Sequence, residues 1–155
     1  MNKILLFIYS ILISFSAGIV GSFFTISKIS SWYLTLEKPI FSPPNWVFGP
    51  VWNILYLLMG ISLFLVLTAK KSRDRSLGIK LFYAQLILNA LWSIVFFGME
   101  NPLGAFLIIL VLWSSIFATI KIFLRVNRAA GNFLLPYIIW VTIATFLNLG
   151  IVILN

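Results

Sequence analysis

Charged residues divide this chain into five long stretches that hold no charge at all, and a water-soluble fold has no use for such stretches. There are 24 uncharged residues between Lys3 and Lys28, 31 between Lys38 and Lys70, and 19 between Lys80 and Glu100. Another 20 separate Glu100 from Lys121, and 27 run from Ala129 to Asn155. A helix needs about 20 apolar residues to cross the hydrocarbon of a bilayer. Of the 155 residues, 62% are hydrophobic and only 9% charged, with a mean hydropathy of +1.11, more apolar surface than a soluble domain of this size can cover. The fold class expected is an all-α membrane protein, a five-transmembrane-helix bundle forming a single domain over residues 1–155. The spans fall at about 4–26, 44–68, 79–97, 103–125 and 132–154, with a loop over 27–43. A transmembrane barrel would instead alternate in short segments. The first stretch is longer than the h-region of a signal peptide and lacks a clear cleavage site before a soluble body, so it is expected to stay as a span.

The net charge of +8 is not spread evenly. With alternating spans, Lys3, Lys70, Lys71, Arg73, Arg75, Lys80, Lys121, Arg125 and Arg128 fall on one side and only Lys28 and Lys38 on the other. Basic residues favour the cytoplasmic side of a membrane protein. The expectation is therefore a multi-pass protein of a bacterial cell membrane, N-terminus cytoplasmic and loop 27–43 external. The basic rim then meets anionic lipid rather than nucleic acid. There is no cysteine and hence no disulfide.

What the spans lack narrows the chemistry. None carries Asp, Glu, Lys, Arg or His in its middle, the groups that proton relays, pumps and voltage sensors use. With no His and no Cys, no metal site and no ordinary haem ligation is expected. There is neither a Ser/His/Asp set nor a carboxylate pair for acid–base work. No inverted repeat is visible, which argues against the common plan of secondary transporters.

What the spans contain is amides, small residues and tryptophans at helical spacing. Gly49, Trp52, Asn53, Tyr56 and Gly60 share one face of the second span. Gln85, Asn89, Trp92 and Ser93 do so on the third, and Tyr137, Trp140, Ala144 and Asn148 on the fifth. Counting about 1.5 Å per residue, Trp52, Trp92 and Trp140 reach the central-to-external part of the bundle. Two readings stand for such residues. Trp and Tyr form interfacial belts and amides tie helices together, which suits Trp32, Trp46 and Trp113. Trp52, Trp92 and Trp140 lie deeper and equally suit a ligand cavity. Ahead of the second span, Pro39, Pro43 and Pro44 stiffen a loop that keeps Trp32, Tyr33, Phe41 and Trp46, each proline fixing φ and pushing its predecessor extended. Such a loop is expected to fold back as a lid. Residues 70–78 read as a solvated basic loop, 98–102 as a tight turn with Pro102 opening the fourth span, and 126–132 as the last connection. Ala17, Gly18, Gly21 and Ser22 have the small-xxx-small spacing of close helix packing, within the bundle or between copies.

The segments WYLTLEKPIFSPPNWVFGPVWNILYLLMG (32–60), QLILNALWSIVFF (85–97), LWSSIFATI (112–120) and LLPYIIWVTIATFLN (134–148) closely resemble the TspO/MBR family, the tryptophan-rich sensory and translocator (peripheral-type benzodiazepine receptor) proteins, over nearly the whole chain. The resemblance implies a five-helix bundle, usually a homodimer, that binds protoporphyrin IX, related tetrapyrroles and other flat hydrophobic molecules under the first loop, with no cofactor required. Position by position, it places the pocket on Tyr33, Phe48, Trp52, Tyr56, Asn89, Trp92, Trp140, Ile143, Ala144 and Leu147. It also implies alternatives to a receptor: a porphyrin transporter, or a light-dependent porphyrin-degrading enzyme with Trp52 and Trp140 as the candidate residues, though no ordinary catalytic group supports turnover. Two departures stand out. Leu149 occupies the place of the tyrosine in the sterol-recognition pattern of animal members, and no basic residue follows it. The small-xxx-small pattern often placed at the dimer face of the third span is missing from 85–97.

Overall fold

The computed structural model describes residues 2–155 and contains five apolar helical spans: Lys3–Ile29, Asn45–Thr68, Arg73–Gly98, Pro102–Val126 and Arg128–Leu154. Helix α1 (Lys3–Ile29) leads to a single turn, α2 (Trp32–Thr35), within the lid. A 3-10 turn (Asn45–Val47) opens α3 (Phe48–Thr68). Helix α4 (Arg73–Ser93) relaxes into a π turn over Ile94–Gly98, and α5 (Pro102–Val126) follows. The last span is short α6 (Arg128–Phe133) continued by α7 (Leu135–Leu154). Five spans and an all-helical architecture agree with the sequence.

Several boundaries move outward, and capping explains why. The third span begins at Arg73 rather than 79, because Ser72 accepts the backbone N–H of Arg75 at 3.1 Å and supplies the N-cap that a first turn needs. Arg75 then donates from its guanidinium to the carbonyls of Val66 and Leu67, at 3.0 and 2.8 Å, closing the end of α3. The basic loop thus shrinks to a few residues around Lys70–Ser72. Asn127 likewise caps α6 by accepting from Ala130 at 3.1 Å, so most of the stretch 126–132 is helical. Asn101 accepts from Gly104 at 2.9 Å, with Pro102 at the first helical position. The turn before it includes Glu100 at φ 51°.

The end bearing the termini of α1, α3, α4, α5 and α6 opposite the lid is solidly packed. Met59, Leu63, Val66, Phe82, Ile116 and Phe123 are wholly buried there, and Phe82 stacks on Phe123 with centroids 5.9 Å apart. Glycines set the helix separations. A Cβ on Gly60 would lie 2.9 Å from the backbone of Ile11, so α1 and α3 approach closely at that level. Gly131 abuts Leu124 in the same way. The nine basic residues of this end outnumber its one acid, Asp74, so the whole net charge of +8 sits here. At the lid end Lys28 pairs with Glu100.

Candidate functional site

Toward the lid the helices no longer fill the space between them. A cavity of about 570 Å³ opens there, lined by α1, the lid, α3, α4 with its π turn, and α7.

Its floor is hydrogen-bonded. Tyr56 donates to Asn89 Oδ1 at 2.8 Å, Asn89 Nδ2 donates to Tyr137 Oη at 3.1 Å, and Tyr137 donates to Gln85 Oε1 at 2.8 Å. Four side chains from three helices are thereby tied together, and such buried networks rigidify what they support, although the Gln85 Nε2 end of this one has no partner. Trp52 stacks on Tyr56, centroids 5.4 Å apart and 24° between planes. Gly18 of α1 lies against the Tyr56 ring so tightly that a Cβ there would overlap it.

The walls are aromatic. Trp92 donates its indole N–H to Asn148 Oδ1 at 3.0 Å, and Asn148 donates to the Pro102 carbonyl at 2.8 Å. Trp92 stacks on Phe96 at 5.1 Å. Phe96 and Phe97, neighbours in sequence, are both buried. The π turn of Ile94–Gly98 accompanies that placement, and such turns recur at functional sites. Phe48 meets Trp140 edge to face at 5.9 Å. The Trp140 indole N–H is buried without a partner.

The lid is latched shut. Tyr33 is 4% exposed, packed on Phe48, Phe96 and Phe97, and burial pushes its phenol above the usual tyrosine value. Lys38 donates to the carbonyls of Tyr33 and Leu36 at 2.8 and 3.0 Å and lies over the Tyr33 ring. Asn155, capping α7, grips the Glu37 backbone from both sides at 3.0 Å. The side between α1 and α3 is open. Beside Gly49 nothing lies within 4 Å of where a Cβ would stand, and Ile19, Ser22, Phe23 and Ile26 line the cavity while being exposed.

Of the residues singled out in the sequence, Tyr33, Phe48, Trp52, Tyr56, Trp92, Trp140, Ala144 and Leu147 line this cavity. Asn89 does not: its amide bonds Tyr56 and Tyr137, so it belongs to the floor network and is not among the lining residues. Ile143 does not either; it is 39% exposed and lies in a shallow outer depression with Val51, Ile54 and Ile139. The sequence reading missed the contribution of α1. Gly18, Gly21 and Ser22 carried a signal, the small-residue spacing, but Gly18 packs on Tyr56 and Gly21 on Ser93, so that spacing serves the bundle and borders the cavity. Of the suspected belt residues, Trp113 ties α5 to α7 by donating to Thr142 at 2.8 Å, Trp32 packs edge to face on Phe96, and Trp46 stays exposed.

The lining contains no charged side chain, and among the described residues no cluster of His, Cys, Asp or Glu could hold a metal. Such a site can stack planar rings, exclude water and offer a few neutral hydrogen-bonding groups. A cavity of this size lies within the roughly 300–1,000 Å³ of small-molecule pockets.

Comparison with known proteins extends the picture. The sequence profile of the TspO/MBR family matches residues 10–154. The chain is 43% identical to a tryptophan-rich protein TspO of Chlorobaculum tepidum, covering 100% of this chain and 99% of the relative. It is 41% identical to one of Archaeoglobus fulgidus over 99% of each. The translocator protein of Homo sapiens is 34% identical over 83% of this chain and 78% of its own.

Proposed function

The chain belongs to the TspO/MBR family of membrane sensor and translocator proteins, and from that premise we propose that it is a receptor for protoporphyrin IX and similar flat hydrophobic molecules, held in the cavity beneath the lid. One observation carries the reading: an apolar, aromatic space walled by Trp52, Tyr56, Trp92, Phe96 and Trp140, with no ionisable group other than tyrosine among its lining residues. A tetrapyrrole presents large π-faces, and each aromatic pair contributes about 0.5–1.5 kcal/mol beyond burial. Ala144 leaves the room such a ring needs, and the Trp140 ring lines the same space. Asn89 acts one step back, holding Tyr56 in place. Propionate groups would point toward the lid end, where the cations Lys28 and Lys38 are held by Glu100 and by the Tyr33 and Leu36 carbonyls.

The charge asymmetry supports a cytoplasmic N-terminus and a lid on the external face, and a homodimer fits the exposed apolar helix surfaces. A second reading has one observation in its favour: Trp52 and Trp140 line the same cavity from α3 and α7, as light-dependent breakdown of a bound porphyrin would use. Illumination of the complex separates the two. A receptor leaves pigment absorbance constant, whereas breakdown removes it and stops in Trp52→Phe and Trp140→Phe. For binding itself, saturable dark quenching of tryptophan fluorescence by protoporphyrin IX supports the receptor reading, and strictly linear quenching refutes it.

A further inference from the structure

The lid has a second apolar surface, turned away from the cavity. Ile40 is fully exposed at 103%, Trp46 is 75% exposed and Phe41 57%. No charged residue falls between Lys38 and Lys70. A loop that bathed in water would gain nothing from this trio.

Where the trio sits follows from how the lid is fastened. Asn155 holds Glu37 at the very end of α7. The ring of Pro39 then drops into the notch at Gly150, where any Cβ would overlap it. Gly150 lies four residues before the last residue of α7, Leu154, so Pro39 is held about 6 Å inward of the helix end at about 1.5 Å per residue. Ile40 follows directly. The headgroup region on each side of a bilayer is roughly 5–8 Å deep, the difference between the hydrocarbon core and the full thickness. Ile40 and Phe41 are the central residues of a turn closed by the Ser42 N–H on the Pro39 carbonyl at 3.0 Å, so they stay beside Pro39, and with the end of α7 at the outer edge of the headgroups that is the level where headgroups give way to acyl chains. Trp46 lies in the 3-10 turn opening the second span, the interfacial height that tryptophan favours.

We propose that Ile40, Phe41 and Trp46 anchor the outer edge of the lid in the lipid leaflet on that side, so that lipid holds the lid from outside while Tyr33 holds it from within. Lifting the lid then requires withdrawing this edge from the bilayer, and the closed state becomes a property of protein and membrane together. The proposal stands whether or not the cavity takes a porphyrin.

The chain has no cysteine, so Ile40→Cys accepts a single nitroxide at a site with no packing to disturb. In phosphatidylcholine liposomes, collision with oxygen, which concentrates in lipid, is compared with collision with a water-soluble nickel chelate. A label at Lys71→Cys, in the loop at the opposite end, serves as the aqueous reference. The expected result is an oxygen-dominated Ile40 label against a nickel-dominated Lys71 label. Equal nickel access at both sites overturns the proposal, and so does protection of Ile40 from both reagents, which would mean that a second copy of the chain covers the edge. The unlabelled protein gives an independent reading: brominated lipids should quench a fluorescence component that is missing in Trp46→Phe, and identical quenching in both would contradict the anchor.

Discussion

The two halves of this bundle are built from the same five spans but solve opposite problems. At the basic end, aliphatic and phenylalanine side chains such as Met59, Leu63, Phe82 and Phe123 are wholly buried, and glycines draw the helices together. At the lid end, tryptophans, tyrosines and small residues surround a cavity of about 570 Å³. Interiors normally leave few voids larger than a water molecule, so the hollow half is unusual and the packed half bears the cost of keeping it open. The Gln85–Tyr137–Asn89–Tyr56 network is the boundary between them, the top of the packed half and the floor of the other.

That contrast can be broken most forcefully in the packed half. Phe123→Ala removes a ring stacked on Phe82 and should cost stability toward the low end of the about 3–5 kcal/mol seen for such truncations, because lipid-exposed states lose less on burial. Unfolding in a graded detergent mixture measures it, and ligand affinity per folded molecule should hold. At the boundary, Tyr137→Phe strips the hydroxyl that bridges Gln85 and Asn89 and should cost about 1–2 kcal/mol. Here both halves should suffer: stability falls and so does affinity, since Tyr56 loses its support. The same two assays distinguish this outcome from a purely local one. In the hollow half, Asn155→Ala removes three hydrogen bonds, two of them to the Glu37 backbone of the lid and one to the Ile151 carbonyl. Stability should change by less than about 0.5 kcal/mol, while stopped-flow dissociation of a bound ligand should quicken a few-fold as the lid loses its latch.

The packed half and the spans were largely legible in the sequence, because charges cannot enter the hydrocarbon and so mark every boundary to within a turn. The exceptions, Arg73 and Arg128, are helix starts written in caps, Ser72 and Asn127, rather than in hydropathy. The hollow half was legible as stripes but not as a shape. Trp52, Trp92 and Trp140 share the cavity as their spacing suggested. Ile143, one residue from Ala144, is turned about 100° away around α7, and no single-helix pattern reveals which of two neighbours faces inward. Asn89 is taken into the floor network because Tyr56 and Tyr137 on other helices claim its amide. The share of α1 was hidden for a similar reason: glycine and serine read alike whether they touch a neighbouring helix or border a space. The π turn at Ile94–Gly98 has no sequence signature at all.

The central claim is that the space under the lid is a binding site and that its size is what the ligand needs. The most direct test is a dark titration of purified protein with protoporphyrin IX, following tryptophan quenching in the unsubstituted chain and in Ala144→Phe, which fills the cavity without touching the packed half. Saturable quenching lost in Ala144→Phe, with the unfolding transition of the variant unchanged, is the expected result. Equal saturable quenching in both chains, or none in either, would contradict it.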